Sequence, residues 1–195
     1  MEKAVYSAVL TPFKKDLTID TKLFISHCEF LLKNNISLAP LGTTGEANSI
    51  SISEKLDLIK TIANSDLPKE KIIIGTGNTS FVDAALLTKT AVENKIYSVL
   101  LLPPFYYKNV SDEGVYQYYK EIINTVRSTN LRIFLYNIPQ VSGVTISIDL
   151  VNRLKKEFSD TITGIKDIQF YYFRRFIIKM FQMKVFINII KKLSI

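Results

Sequence analysis

Thr161-Ile162-Thr163-Gly164-Ile165-Lys166-Asp167 is a short β-branched, apolar run that closes on a lysine. β-branched residues suit a pleated surface, so the run predicts a strand. Apolar residues at both parities place it in a sheet covered on both faces, as parallel sheets are. A lysine at the buried mouth of such a strand needs a chemical reason. Desolvation lowers an ammonium pKa, which leaves free amine near neutral pH, and a held free amine attacks a ketone to form a Schiff base. The other reading is a lysine whose stem leaves the strand and whose head reaches solvent.

Working outward, five further apolar runs occupy residues 5–10, 36–42, 71–75, 98–102 and 132–137, with starts roughly 30 residues apart. Between them the apolar residues recur at helical spacing, as in Leu23, Phe24, His27, Phe30 and Leu31, or Leu56, Ile59 and Ala63. Helix starts are written in as well. Ser51 with Glu54 makes a capping box, Ser111 precedes Asp112 and Glu113, and Ser147 precedes Asp149. Parallel strands joined by helices give an α/β fold, either an open doubly wound sheet or a (β/α) barrel. The first run is followed by Leu10-Thr11-Pro12-Phe13, where a dinucleotide-binding sheet wants G-x-G-x-x-G.

Polar and glycine-rich residues gather just after the strands. They include Thr11-Pro12, Gly42-Thr43-Thr44-Gly45-Glu46, Gly75-Thr76-Gly77-Asn78, the aromatic loop ending Pro104-Phe105-Tyr106-Tyr107, and Tyr136-Asn137-Ile138-Pro139. In a parallel barrel these loops share the rim that carries active sites. The amides and hydroxyls of residues 42–46 can converge on a carboxylate, although the same turn also serves as an ordinary strand-to-helix connection. Tyr136 ends the strand predicted beside that of Lys166, so phenol and amine can share one pocket; a packed tyrosine with a wet hydroxyl is the alternative.

Other features exclude function classes. Residues 1–167 hold 19 Lys and Arg against 18 Asp and Glu, so the formal charge of +7 lies almost wholly beyond them and the body offers no electrostatic footprint for nucleic acid. His27 and Cys28 are neighbours on a predicted helix, where i,i+1 side chains diverge, and one histidine makes a poor zinc site. Tyr116, Tyr118 and Tyr119 fall on a predicted helix and read as packing or subunit contact. One cysteine suits a reducing compartment, and the first residues lack the pattern of a secretory leader, so a cytoplasmic location is expected.

Gly42-Thr43-Thr44-Gly45-Glu46, Pro104-Phe105-Tyr106-Tyr107, Tyr136-Asn137-Ile138-Pro139 and Gly164-Ile165-Lys166-Asp167, in unbroken order, resemble the dihydrodipicolinate synthase / N-acetylneuraminate lyase family. The resemblance implies a (β/α)8 TIM barrel, a class I aldolase or lyase acting without metal or organic cofactor, and a homo-oligomer. By the same resemblance Lys166 forms the imine with pyruvate, Tyr136 relays the proton, and Thr43 and Thr44 with Gly45 hold the pyruvate carboxylate. Tyr107 completes the relay, in this family from a neighbouring subunit. Synthases that use aspartate semialdehyde usually place an arginine five residues after the tyrosine, where this chain has Val141. The run from Tyr136 to Val144 is closer to lyases acting on sialic or 2-keto-3-deoxy sugar acids. The expected partners are therefore pyruvate and an aldehyde or sugar acid.

The resemblance covers about six βα strands, residues 1–167, and leaves the last quarter of a barrel missing. Residues 168–195 break the composition, with 18 of 28 residues apolar, six basic and none acidic. They read as an out-of-frame continuation before an early stop; a basic amphipathic membrane segment and a helix plugging the gap are the rival readings. A truncated, non-catalytic relative is thus the alternative to an active lyase.

Overall fold

The computed structural model describes residues 4–168. Strands and helices alternate as β1 (Val5–Ala8), α1 (Thr21–Lys33), β2 (Ile36–Ala39), α2 (Ile52–Asn64), β3 (Ile74–Gly75), α3 (Phe81–Glu93), β4 (Ser98–Leu101), α4 (Asp112–Val126), β5 (Arg132–Asn137), the single turn α5 (Pro139–Ser142), α6 (Ile148–Glu157) and β6 (Ile162–Asp167). Four expected strands come out shorter, the first ending at Ala8 and the fourth at Leu101. The second stops at Ala39, and the third keeps only Ile74–Gly75 because Lys69–Lys71 close a 3₁₀ turn. The proposed tail beyond Ile168 lies outside the described residues.

Every ladder is parallel and runs in chain order, β1 with β2 and then β3-β4-β5-β6. Ile73 N–H donates to Leu38 O at 2.9 Å and Gly75 N–H to Pro40 O at 2.8 Å, which joins the two groups into one sheet. A doubly wound sheet reverses its strand order at a switch point, and this one does not. It curls instead. Tyr6 and Ala8 of β1, Ala39 of β2, Ile73, Leu100 of β4, Phe134 of β5 and Lys166 of β6 line one interior cavity. The fold is a partial (β/α) barrel, with β1 and β6 as its outer strands among the described residues.

The curl creates two apolar layers. Inside, Ile73, Leu100, Phe134, Tyr136 and Ile138 pack together. Outside, the helices cover the sheet, each buried aliphatic or aromatic side chain contributing about 1.5–3 kcal/mol. The face α1 turns inward is Phe24, Cys28 and Leu31, while Leu23 and Phe30 are exposed. The helical expectation therefore holds, but the buried stripe is rotated by one residue. Burial, with Glu29 adding to it, pushes the Cys28 thiol up to about 12, so it stays protonated and unreactive. On α4 all three tyrosines are buried, with Tyr118 donating to Asn78 O at 2.6 Å and Tyr119 to Leu101 O at 3.2 Å. They are packing residues of this chain.

The expected caps are present. Ser51 and Glu54 form the full capping box, Ser111 accepts from Gly114 N and Ser147 from Leu150 N. These caps fix where each loop ends and its helix begins. They thereby set the lengths of the loops that build the rim.

Candidate active site

Where β5 and β6 meet, the ladder slips by one residue. Ile133 pairs with Ile162, but the next pair is Phe134 with Gly164, so Thr163 is an extra residue in β6. Its hydroxyl donates to Ile133 O at 3.2 Å. The bulge explains a break in parity, since Ile162 and Ile165 both face the helix layer although they are three apart. It also sets Lys166 opposite Tyr136, and Asn137 opposite Asp167.

That register brings three of the candidate site residues together. The Lys166 ammonium stands over the Tyr136 ring, 4.1 Å from its centroid, where the negative face of the π system attracts a cation. Tyr136 is buried, 3% exposed, and its hydroxyl lies 3.5 Å from that of Thr43. Lys166 is half-buried, not fully enclosed as the strand pattern suggested, and lines the interior cavity. Ammonium, phenol and threonine hydroxyl thus follow one another along the C-terminal rim.

Thr43 is held there by the turn around it. Glu46 N–H donates to Thr43 O at 3.1 Å and Ala47 N–H to Gly42 O at 3.3 Å. Thr11, from the loop after β1, donates its hydroxyl to Gly45 O at 2.7 Å. A Cβ at Gly45 would come within 2.6 Å of Val9 O, so only glycine lets this turn lie against the β1 exit. Thr44 is exposed on the same turn. The structure therefore brings Thr43, Tyr136 and Lys166 together, with Thr44 and Gly45 beside them. Tyr107 stands apart on the loop after β4, 75% exposed and packed edge-on against Tyr106 at 5.1 Å. Among the described residues no hydrogen bond joins Tyr107 to Thr43 or Tyr136.

Two supports carry no role that the sequence pattern assigns. Asn137 is fully buried; its amide donates to Asp167 Oδ1 at 3.0 Å and its oxygen accepts from Ile146 N–H at 3.0 Å. It ties the two strand ends together one residue beyond Tyr136 and Lys166. The signal available in the sequence was a polar amide in an otherwise apolar strand end. Behind it, Pro139 opens the one-turn helix α5, which carries Val141 to the surface, 52% exposed. No cluster of three or more metal-ligating side chains occurs among the described residues, and none of their helices is long and apolar enough to cross a membrane.

The chain as a whole is similar to known proteins. The sequence profile of the dihydrodipicolinate synthetase family aligns with residues 1–178. The 4-hydroxy-tetrahydrodipicolinate synthase of Archaeoglobus fulgidus is 34% identical over 167 residues, covering 86% of this chain and 55% of that protein. Among solved structures, dihydrodipicolinate synthase from Agrobacterium tumefaciens superposes with a TM-score of 0.80 at 34% identity, over 85% of this chain and 58% of that one. The 2-keto 3-deoxygluconate aldolase from Picrophilus torridus gives 0.76 at 31% identity, over 86% and 58%. A 2-keto-3-deoxygluconate aldolase variant from Sulfolobus solfataricus, solved as a pyruvate complex, gives 0.73 at 28% identity, over 84% and 53%. The chain spans about half the length of the curated relatives it matches. With a profile match across most of its length and the same parallel barrel strands in its solved relatives, the chain belongs to the dihydrodipicolinate synthetase family.

Proposed function

We propose that this chain is a pyruvate-dependent Schiff-base aldolase or lyase, a carbon–carbon lyase working through an enzyme-bound imine. The observation that carries this reading is the placement of the Lys166 ammonium over the Tyr136 ring, with the Tyr136 hydroxyl 3.5 Å from Thr43. An amine attacking the ketone of a 2-oxo acid loses water as the imine forms, and protons must reach and leave the carbinolamine oxygen. A phenol beside the amine, backed by a second hydroxyl, is placed to pass them. The protonated imine then takes up the electron pair of the neighbouring C–C bond as it breaks, or supplies an enamine as it forms. Thr43, Thr44 and Gly45 are assigned to the pyruvate carboxylate, and Tyr107 to the outer end of the proton relay. No metal or organic cofactor is assigned a part.

The second substrate follows from Val141. An uncharged, half-exposed side chain at that rim position cannot pair with a distal carboxylate, which favours a 2-keto-3-deoxy or sialic sugar acid. Condensation with aspartate semialdehyde, the reaction of a 4-hydroxy-tetrahydrodipicolinate synthase, is the second reading, and it is favoured by the name of the Archaeoglobus relative. A non-catalytic relative is the third, favoured by the two outer strands β1 and β6 that lack a second neighbour among the described residues. The deciding experiment is incubation with pyruvate and borohydride, followed by peptide mapping. One reduced pyruvate on the Lys166 peptide supports the lyase. Absence of label, or label that persists in Lys166→Ala, refutes it. Rates of sugar-acid cleavage and of semialdehyde condensation, compared in the labelled protein, separate the two substrates.

A further inference from the structure

The loop after β4 carries Tyr106 and Tyr107 on its outside, 72% and 75% exposed, yet it is tied down from within. Lys108, the next residue, sends its ammonium to two backbone carbonyls. One is Phe105 O, in its own loop, and the other is Ser142 O at 2.9 Å, across the rim on α5. The acceptor side is itself rigid. Ser142 is 1% exposed, and its hydroxyl lies 3.1 Å from Ile138 O and 2.9 Å from Val144 O. Ser142 O is one of the last carbonyls of a helical turn, where a cation is favoured by the local dipole. Gly143 follows in the left-handed region, φ +66°, and a Cβ there would come within 2.6 Å of Lys108 Cδ. The glycine thus opens the channel through which the lysine stem crosses. At the far end of the loop the Ser147 hydroxyl donates to the Asp112 carboxylate, so the segment is anchored in its middle and at its end.

We infer that Lys108 is a positioning residue, a latch that holds the Tyr106–Tyr107 pair in place by fastening the loop after β4 to the α5 turn after β5. The inference rests on the proposed lyase reading only for what Tyr107 then does. A loop this exposed samples many conformations unless something fixes it, and two exposed rings in edge-on contact supply too little contact to fix it themselves. Removing the latch should loosen Tyr106 and Tyr107 without unfolding the barrel, because Lys108 is itself exposed and belongs to neither apolar layer.

The chain contains no tryptophan, so Tyr106→Trp supplies a single fluorescent reporter that leaves Tyr107 intact. In that background Lys108→Met is expected to lower tryptophan anisotropy and raise acrylamide quenching. Amide exchange in residues 103–110 and 139–144 should rise about threefold to tenfold, the equivalent of an ordinary hydrogen bond. Exchange in α2 and α3 should not change. Lys108→Arg, which keeps donors for both carbonyls, should restore the reporter signal. Unchanged quenching and exchange in Lys108→Met, or a rise spread evenly through the barrel, would overturn the latch. Borohydride trapping of pyruvate adds the link to chemistry. If the parent chain labels Lys166, Lys108→Met should label several-fold more slowly at an unchanged half-saturating pyruvate concentration, and an equal rate despite a loosened loop would refute the positioning role. If the parent chain does not label, the lyase reading falls, while reporter and exchange still decide the latch.

Discussion

Replacing Asn137 by alanine tests the site's main support. Its side chain is fully buried and makes two bonds of 3.0 Å, one donated to the Asp167 carboxylate and one accepted from Ile146 N–H. A hydrogen bond to a charged group contributes about 1.5–3 kcal/mol, and an orphaned buried N–H costs about 1–3 kcal/mol. Ile146 is also fully buried, so water cannot easily replace the lost acceptor. Asp167 has further interactions of its own, which places the expected loss in the lower part of the summed range, at roughly 3–4 kcal/mol. Against a typical total of about 5–15 kcal/mol that is a large share. Asn137→Asp keeps the acceptor for Ile146 but sets a second carboxylate against Asp167, and should destabilise comparably at neutral pH. The exchanged pair, Asn137→Asp with Asp167→Asn, puts donor and acceptor back facing each other and should recover most of the loss. Urea unfolding of the parent, Asn137→Asp, Asp167→Asn and the exchanged pair measures this as a double-mutant cycle, with Asn137→Ala alongside. A loss under about 1 kcal/mol in Asn137→Ala, or no recovery in the exchanged pair, would show that the amide does not hold the strand ends.

Three further outcomes are expected. Tyr136→Phe should still trap pyruvate on Lys166 while turnover slows roughly 10²-fold, the scale of losing a general acid/base; unchanged turnover would remove the phenol from the mechanism. The α4–α6 seam should weaken in acid. The Arg153 hydrogen bond, then Gln117, lowers the Glu113 pKa, and the Tyr116 hydroxyl, then Lys120, lowers that of Glu157. Carboxylates with depressed folded pKa values stabilise above their unfolded value, about 4.3, and lose that contribution as pH falls through the lower folded values. Melting temperatures from pH 6 to 3 should therefore drop less steeply in Glu157→Gln than in the parent chain, and parallel curves would count against the seam. Deleting Thr163 should remove the bulge and leave Ile162, Gly164, Ile165 and Lys166 in regular pairing opposite Ile133 to Tyr136, so pyruvate labelling of Lys166 should survive; loss of labelling in a deletion protein that remains folded would show that the register does not set the lysine's direction.

The parts of this molecule that were readable in its sequence are those set by local chemistry. Hydroxyl and carboxylate groups at Ser51, Ser111 and Ser147 cap helices because nearby amides need acceptors, whatever the rest of the chain does. The strand ends at Tyr136 and Lys166 were visible for the same reason, since β-branched runs stop where polar residues begin. What could not be read is what packing decides. In α1 both Leu23-His27-Phe30 and Phe24-Cys28-Leu31 are spaced for a buried stripe, and only contact with the sheet selects the second. Asn137 gave a weak signal because its partners, Asp167 and Ile146, are 30 and nine residues away.

The bulge at Thr163 shows how far such a selection reaches. Strict alternation along residues 161–167 puts Ile162, Gly164 and Lys166 on one face and Thr163 and Ile165 on the other. In that arrangement Ile162 would share the barrel interior with Lys166, or Lys166 would share the helix layer with Ile162. Neither is tolerable, because an ammonium among the α6 leucines would lose its hydration without a partner, and Ile162 is needed where it is, fully buried in the helix-facing core. One extra residue resolves the conflict by changing face between Ile162 and Gly164. Glycine at the next position adds no side chain to the interior beneath the lysine, and the Thr163 hydroxyl satisfies Ile133 O at the slip. The candidate nucleophile therefore faces the rim because the strand is irregular, and an ideal strand of the same composition would have hidden either the isoleucine or the amine.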